Sequence, residues 1–187
     1  MYQEIDELEL ANACSAGDRN AEDELYRRYA ARVYSLCRRY VGDSEDAKDL
    51  MQEAMVKSLD RIRSFKYSGK GSLYGWIGRI AINHSLNYIN RQRRRMLSLD
   101  MMVRDDIPEP NEEDMMRISE ETLIILISKL PDMRRAVFNL SCIDGYSHKE
   151  IGEMLGISEK GSSSMLAKAK KQLKEEIWNY LRKEDQL

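Results

Sequence analysis

Three prolines, ten glycines and an aromatic share of 7% in 187 residues leave little material for a loop-rich β sandwich. The apolar runs are short: the longest, Leu123 to Ile127, holds five residues, far below the roughly 18 that a membrane span needs. The acidic start, MYQEIDELEL, lacks the basic opening and apolar stretch of a signal peptide. Cys14, Cys37 and Cys142 are widely spaced, form no CxxC pair and fit small buried hydrophobes in a reducing cytoplasm. His84 and His148 are the only histidines, so no Cys/His metal site and no cofactor are expected. There is no nucleophile elbow, Walker loop, HExxH or dinucleotide fingerprint, which argues against an enzyme.

What is present is charge, and its distribution is uneven. The 30 basic and 32 acidic residues nearly cancel. Yet residues 61–97 carry nine cations and no anion, whereas residues 98–122 carry nine anions and two cations. A purely cationic block inside an acidic chain is the electrostatic footprint of a polyanion partner. The acidic stretch, with Pro108, Pro110 and the Glu112–Glu113–Asp114 run, suits an extended linker over 98–122. It separates an N-terminal unit, 1–97, from a C-terminal one, 123–187. Apolar periodicity makes both helical, so the expected fold class is all-α, two small helical domains joined by an acidic linker.

Before the linker, Leu25, Tyr29, Val33, Leu36, Cys37 and Tyr40 form one apolar stripe. Gly42 suits a stop, and Ser44 is placed to cap a second helix with Ala47, Leu50, Met51, Ala54, Met55 and Leu59 inward. Ser68–Ser72 is a flexible loop. The next helix, from about Leu73 to Arg95, carries Trp76, Arg79, Asn83, Asn87, Asn90 and Arg94 on one narrow stripe. Ile77, Ala81, Ile82, Ser85, Tyr88 and Ile89 lie on the opposite side. Aromatic, amide and guanidinium groups in a row supply stacking, bidentate hydrogen bonds and phosphate contacts, the parts needed to hold unpaired bases.

After the linker, Leu123 to Leu130 gives an apolar face ending near Pro131, and Arg134 to Leu140 a second short helix. Ser147 and Glu150 then form a capping box, Gly156 ends that helix, and Ser158 caps the next, which turns Leu166, Ala169 and Leu173 inward. Two short helices joined by a glycine turn make a helix-turn-helix. Its second helix carries Lys160, Lys168, Lys170, Lys171 and Lys174 and suits the major groove of duplex DNA.

In this order the segments LYRRYAARVYSLCRRYVGD (25–43), SEDAKDLMQEAMVKSLDRIRSF (44–65), GKGSLYGWIGRIAINHSLNYIN (69–90) and LPDMRRAVFNLSCIDGYSHKEIGEMLGIS (130–158) resemble the extracytoplasmic-function (ECF) sigma factors of bacterial RNA polymerase. The resemblance covers about residues 15–175. It implies a cytoplasmic transcription initiation factor whose partners are core RNA polymerase, through its clamp and flap elements, and promoter DNA, both duplex and single-stranded. It also leads us to expect an anti-sigma factor and no membrane insertion. Polymerase binding then falls to Asp46, Asp49, Leu50, Gln52 and Glu53, acidic and amide groups around an exposed leucine. Reading of the minus-ten element falls to Tyr67, Lys70, Trp76, Arg79, Asn83, Asn87, Arg91 and Arg94, with Tyr67, Trp76 and Asn83 lining a pocket for a flipped base. The minus-thirty-five element falls to Lys160, Ser163, Ser164, Met165, Lys168 and Lys171, and the acidic linker to the polymerase's nucleic-acid channels. The family often has Arg where Ser163, Met165 and Ala167 stand here, so the minus-thirty-five readout is expected to differ. A free-standing helix-turn-helix regulator is the alternative, but it leaves the Trp76–Arg95 stripe without a task.

Overall fold

The computed structural model describes residues 5–95 and 108–185, and every regular element there is helical. The chain divides into two compact units, Met1–Asn87 and Tyr88–Leu187.

The first unit opens on α1 (Glu7–Ser15), which Asp6 caps by accepting from Glu9 N at 2.8 Å. Helix α2 (Arg19–Val41) is capped by Asp18 and stops at Gly42, whose φ of 75° disfavours residues with a side chain. The anticipated stripe is its buried face: Leu25, Val33, Cys37 and Tyr40 are fully enclosed, and Leu36 is half-buried. Helix α3 (Ser44–Arg61) packs along it. Its cap is Asp43 and not Ser44, which is the first helical residue. The Asp43 carboxylate accepts from Glu45 N and Asp46 N at 2.8 and 3.1 Å, and these bonds hold its pKa below the ordinary value. A short 3₁₀ turn (Ile62–Ser64) leads to the loop before α4 (Ser72–Arg95). Leu73, Ile77, Ala81 and Ile82 of α4 are buried.

Burial of a charge in this unit is matched by partners. Glu24 on α2, only 6% exposed, accepts from Arg27 Nε at 2.8 Å and also from Arg28, whose bond is the main reason its carboxyl titrates low. Arg28 Nη1 in turn donates to Ile5 O at 2.8 Å, tying the chain before α1 to α2.

In the second unit, residues 108–122 do not form the extended linker that their composition suggests. They contain α5 (Glu112–Met116), closed by an Asn111–Asp114 capping box, and the start of α6 (Glu120–Ser128), capped by Ser119. The segment is also fastened to the last helix: Trp178 Nε1 donates to Pro108 O at 2.9 Å, and Lys174 Nζ to Glu109 at 2.7 Å. Acidic residues at helix starts are favoured by the helix dipole, so this composition serves capping as well as solubility. Residues 98–107 of the expected linker lie outside the described residues.

Helix α7 (Asp132–Phe138) continues through a π-helical turn (Asn139–Ile143), and α8 (His148–Leu155) and α9 (Glu159–Glu184) complete the unit. Leu126, Ile127 and Leu130 pack with Ala169, Leu173, Ile177 and Leu181 of α9. Buried Arg135 donates to Ser128 O and Leu130 O, both at 2.8 Å, satisfying carbonyls that α6 leaves open at its end.

Candidate nucleic-acid interface

Helix α4 carries the expected row. Arg79, Asn83, Asn87 and Arg91 are exposed and Asn90 half-exposed, while Ile77, Ala81, Ser85 and Ile89 are buried. The Arg94 side chain lies outside the described residues. Trp76 begins the row but is half-buried, its ring 5.7 Å from Phe65 and tilted by 55°. Phe65, which the sequence reading overlooked, thus props the tryptophan at the entrance of the loop.

The loop 65–71 turns on Gly69 and Gly71, with φ of 119° and 90°. It exposes Tyr67 and Lys70, which share a pocket of about 390 Å³ with Glu7, Arg28 and Tyr29. Helix α4 has no capping side chain of its own at Gly71. Instead Glu7 Oε2 accepts from Gly71 N at 2.9 Å and from Leu73 N at 3.2 Å. Its other oxygen accepts from Tyr29 OH at 3.1 Å. Burial, and next the Glu7 charge, push the Tyr29 phenol up to about 12. Tyr29 also stacks on Tyr74, with Arg32 3.6 Å from the centre of the Tyr74 ring.

On α3, Asp49, Gln52 and Glu53 are exposed and Asp46 is half-buried. Leu50 is not the exposed leucine expected among them: it is 5% exposed. At 100° per residue it falls on the face of Ala47 and Ala54, and that face packs inward. The apolar residue that this surface does present is Val56, 61% exposed and missed by the sequence reading, although it lies three residues beyond Glu53 on the same face. Glu53 also meets His84 Nδ1 of α4 at 3.2 Å, so α3 touches the helix that bears the amide row.

The helix-turn-helix is α8 and α9. The Ser147–Glu150 box forms, and its hydrogen bonds lower the Glu150 pKa. Gly156 adopts the left-handed conformation, and its N–H and that of Ile157 both reach Gly152 O. Ser158 caps α9 through Gly161 N at 3.0 Å. The Gly161–Ser164 stretch is helical despite weak propensity, because Ser162 is fully buried and meets His148 Nδ1 at 2.9 Å. A larger side chain there would hold the two helices apart.

Lys160, Ser163, Ser164 and Lys168 are exposed and Lys171 half-buried, spaced so that all five share one face. Met165 is half-buried on the flank of the packed face that holds Ser162 and Ala169, and it stands off that row. Leu166 is half-buried, Ala169 and Leu173 buried.

A helical unit with an exposed amide–guanidinium row and a second unit with a cationic helix-turn-helix are the arrangement expected of a promoter-recognition protein. Sequence comparison agrees: Sigma-70 region 2 matches residues 25–95, and Sigma-70, region 4 matches residues 121–173. The chain is 32% identical over 169 residues to the ECF RNA polymerase sigma-E factor of Escherichia coli K12, covering 83% of this chain and 85% of that one. It is 27% identical over 188 residues to the Haemophilus influenzae ECF RNA polymerase sigma-E factor, covering 95% and 98%. Among solved structures, CnrH in complex with the cytosolic domain of CnrY is similar over 88% of this chain and 92% of that one, with a TM-score of 0.45 and 20% identity. The chain belongs to the ECF family of RNA polymerase sigma factors. It is a transcription initiation factor that works with RNA polymerase at promoters, and the free-standing regulator is not favoured. No helix among the described residues is long and apolar enough to cross a membrane.

Proposed function

We propose a division of this task among three surfaces. The α3 face of Asp46, Asp49, Gln52 and Glu53, with Val56 as its apolar contact, docks on the polymerase clamp. The loop at Tyr67 and Lys70 and the α4 row of Arg79, Asn83, Asn87 and Arg91 take the melted minus-ten strand. The α9 row of Lys160, Ser163, Ser164, Lys168 and Lys171 takes the minus-thirty-five duplex, with the polymerase flap holding this unit in place. The observation that carries the reading is the α4 row, two amides and two guanidiniums exposed on the open side of a helix whose other side is packed. The protein works in the cytoplasm, contributes no catalytic chemistry of its own, and has an anti-sigma factor among its partners.

Permanganate footprinting beside promoter binding over a salt series tests the division. Asn83→Ala should cut open-complex formation about tenfold, within the range for a lost base contact, and the defect should shrink on a template already melted. Lys168→Ala should weaken closed binding and lower the salt slope by about one, as expected for one phosphate contact. Identical profiles for the two variants in both assays would contradict the reading.

A further inference from the structure

Helix α4 starts at Gly71 and Ser72, and the residue in the capping position has neither a side chain nor, at φ of 90°, a conformation that tolerates one easily. The cap is supplied 64 residues away in sequence by Glu7 on α1, whose single oxygen Oε2 receives both Gly71 N and Leu73 N. A carboxylate at this end also matches the helix dipole. The same side chain is held from below by Tyr29 OH, and Tyr29 stacks on Tyr74 of the first turn of α4. Glu7 therefore joins α1, α2 and the loop end in one place, directly beneath Lys70 and Tyr67 of the shared pocket.

We infer that Glu7 is a positioning residue for promoter opening: it caps α4 from another helix and sets the loop 65–71 in the conformation that meets the melted strand. Glu7 lies outside the stretch matched by the region 2 family, which begins at residue 25. The inference rests on the α4 reading above. Its distinct content is that the loop's conformation is set by a carboxylate from α1 and not by the loop's own residues. With the tether gone, the first turn frays and the two glycines free the loop, while α2 and α3 keep their own core.

The test uses polymerase reconstituted with the full chain, comparing wild type, Glu7→Ala, Glu7→Gln and Asn83→Ala. Expected for Glu7→Ala is an open-complex yield on duplex promoter reduced about tenfold, the scale of charge-assisted cap bonds, with polymerase affinity within about twofold of wild type. Glu7→Gln keeps one acceptor of the same reach and should recover most of the loss. Hydrogen exchange should show faster Gly71 and Leu73 amides in Glu7→Ala and unchanged protection in α3. If opening, polymerase affinity and α3 protection fall together in Glu7→Ala and Glu7→Gln restores none of them, Glu7 is a scaffold residue only and the inference is overturned. If Asn83→Ala impairs opening and Glu7→Ala does not, the inference fails and the α4 reading stands. If Asn83→Ala leaves opening intact, it is the α4 reading that fails.

Discussion

Gly152→Ala is a sharp test of the helix-turn-helix geometry, because one added methyl group meets backbone. A Cβ built at Gly152 falls 2.8 Å from Ile157 O, 3.5 Å from Glu159 N and 3.6 Å from the Ser158 carbonyl carbon. The first distance is well inside ordinary contact, and the atom it strikes belongs to the turn, so no flexible side chain can swing aside. Overpacking of this kind costs about 1–3 kcal/mol. Replacing a helix-interior glycine with alanine returns about 1 kcal/mol. A net loss of about 1 kcal/mol follows, which lowers the melting temperature of a unit this size by about 4–8 °C. The greater effect falls on geometry. Relief comes only by moving Ile157, which swings Ser158 and the start of α9 and carries the Lys160–Lys171 row out of register with the groove.

The assay pairs thermal unfolding of the full chain with minus-thirty-five-dependent promoter binding by reconstituted polymerase, with Gly75→Ala as control. Gly75 lies in α4 with nothing within 4 Å of where an alanine methyl group would sit, so that substitution should stabilise by about 0.5–1 kcal/mol. For Gly152→Ala we expect the lower melting temperature and at least a fivefold loss of binding. A Gly152→Ala protein as stable as wild type and with full minus-thirty-five discrimination would refute the argument from steric contact.

Reversing both Asp49 and Glu53 to Lys should abolish co-purification with core polymerase and leave the helical circular dichroism unchanged, since both side chains are exposed. Retention of the variant on polymerase at normal yield would remove α3 from the docking surface. A thiol reagent should label one cysteine in the folded protein and three after unfolding: Cys142 is exposed and not buried as its sequence context suggested, whereas burial pushes the Cys14 and Cys37 thiols up to about 11. Acid should destabilise the fold through its caps. Hydrogen bonds hold Asp43 and Glu150 below their ordinary values of 3.8 and 4.5, so their contribution is complete above those values and is lost as pH falls through the lower folded-state values. Melting temperature should therefore drop below about pH 4.5, less steeply in Asp43→Asn than in wild type.

The helix-turn-helix was legible in the sequence because its signals are local. Ser147 with Glu150, Gly156, and Ser158 each act within a few residues, and each does in the structure what its type and spacing imply. The alternation of packed and open faces on α2 and α4 was legible for the same reason. Leu50 was read two ways, inward by its place on the face of Ala47 and Ala54 and outward by its likeness to a docking leucine, and burial follows the face. Asp43 displaced Ser44 as a cap because two adjacent capping types leave the register to the turn after Gly42. Glu7 at Gly71, Trp178 at Pro108 and Glu109 at Lys174 were not legible at all. Each joins residues more than 60 positions apart, and no periodicity or cap pattern encodes a partner at that distance.

The central claim is that this chain reads a promoter only as part of RNA polymerase. The direct measurement is promoter binding and initiation by the purified chain, with and without added core polymerase, at physiological salt. We expect weak, nonspecific binding by the chain alone, and tight promoter-specific binding with transcript formation once core polymerase is added. Nanomolar, promoter-specific binding by the chain alone, unchanged by polymerase and without initiation, would contradict the account.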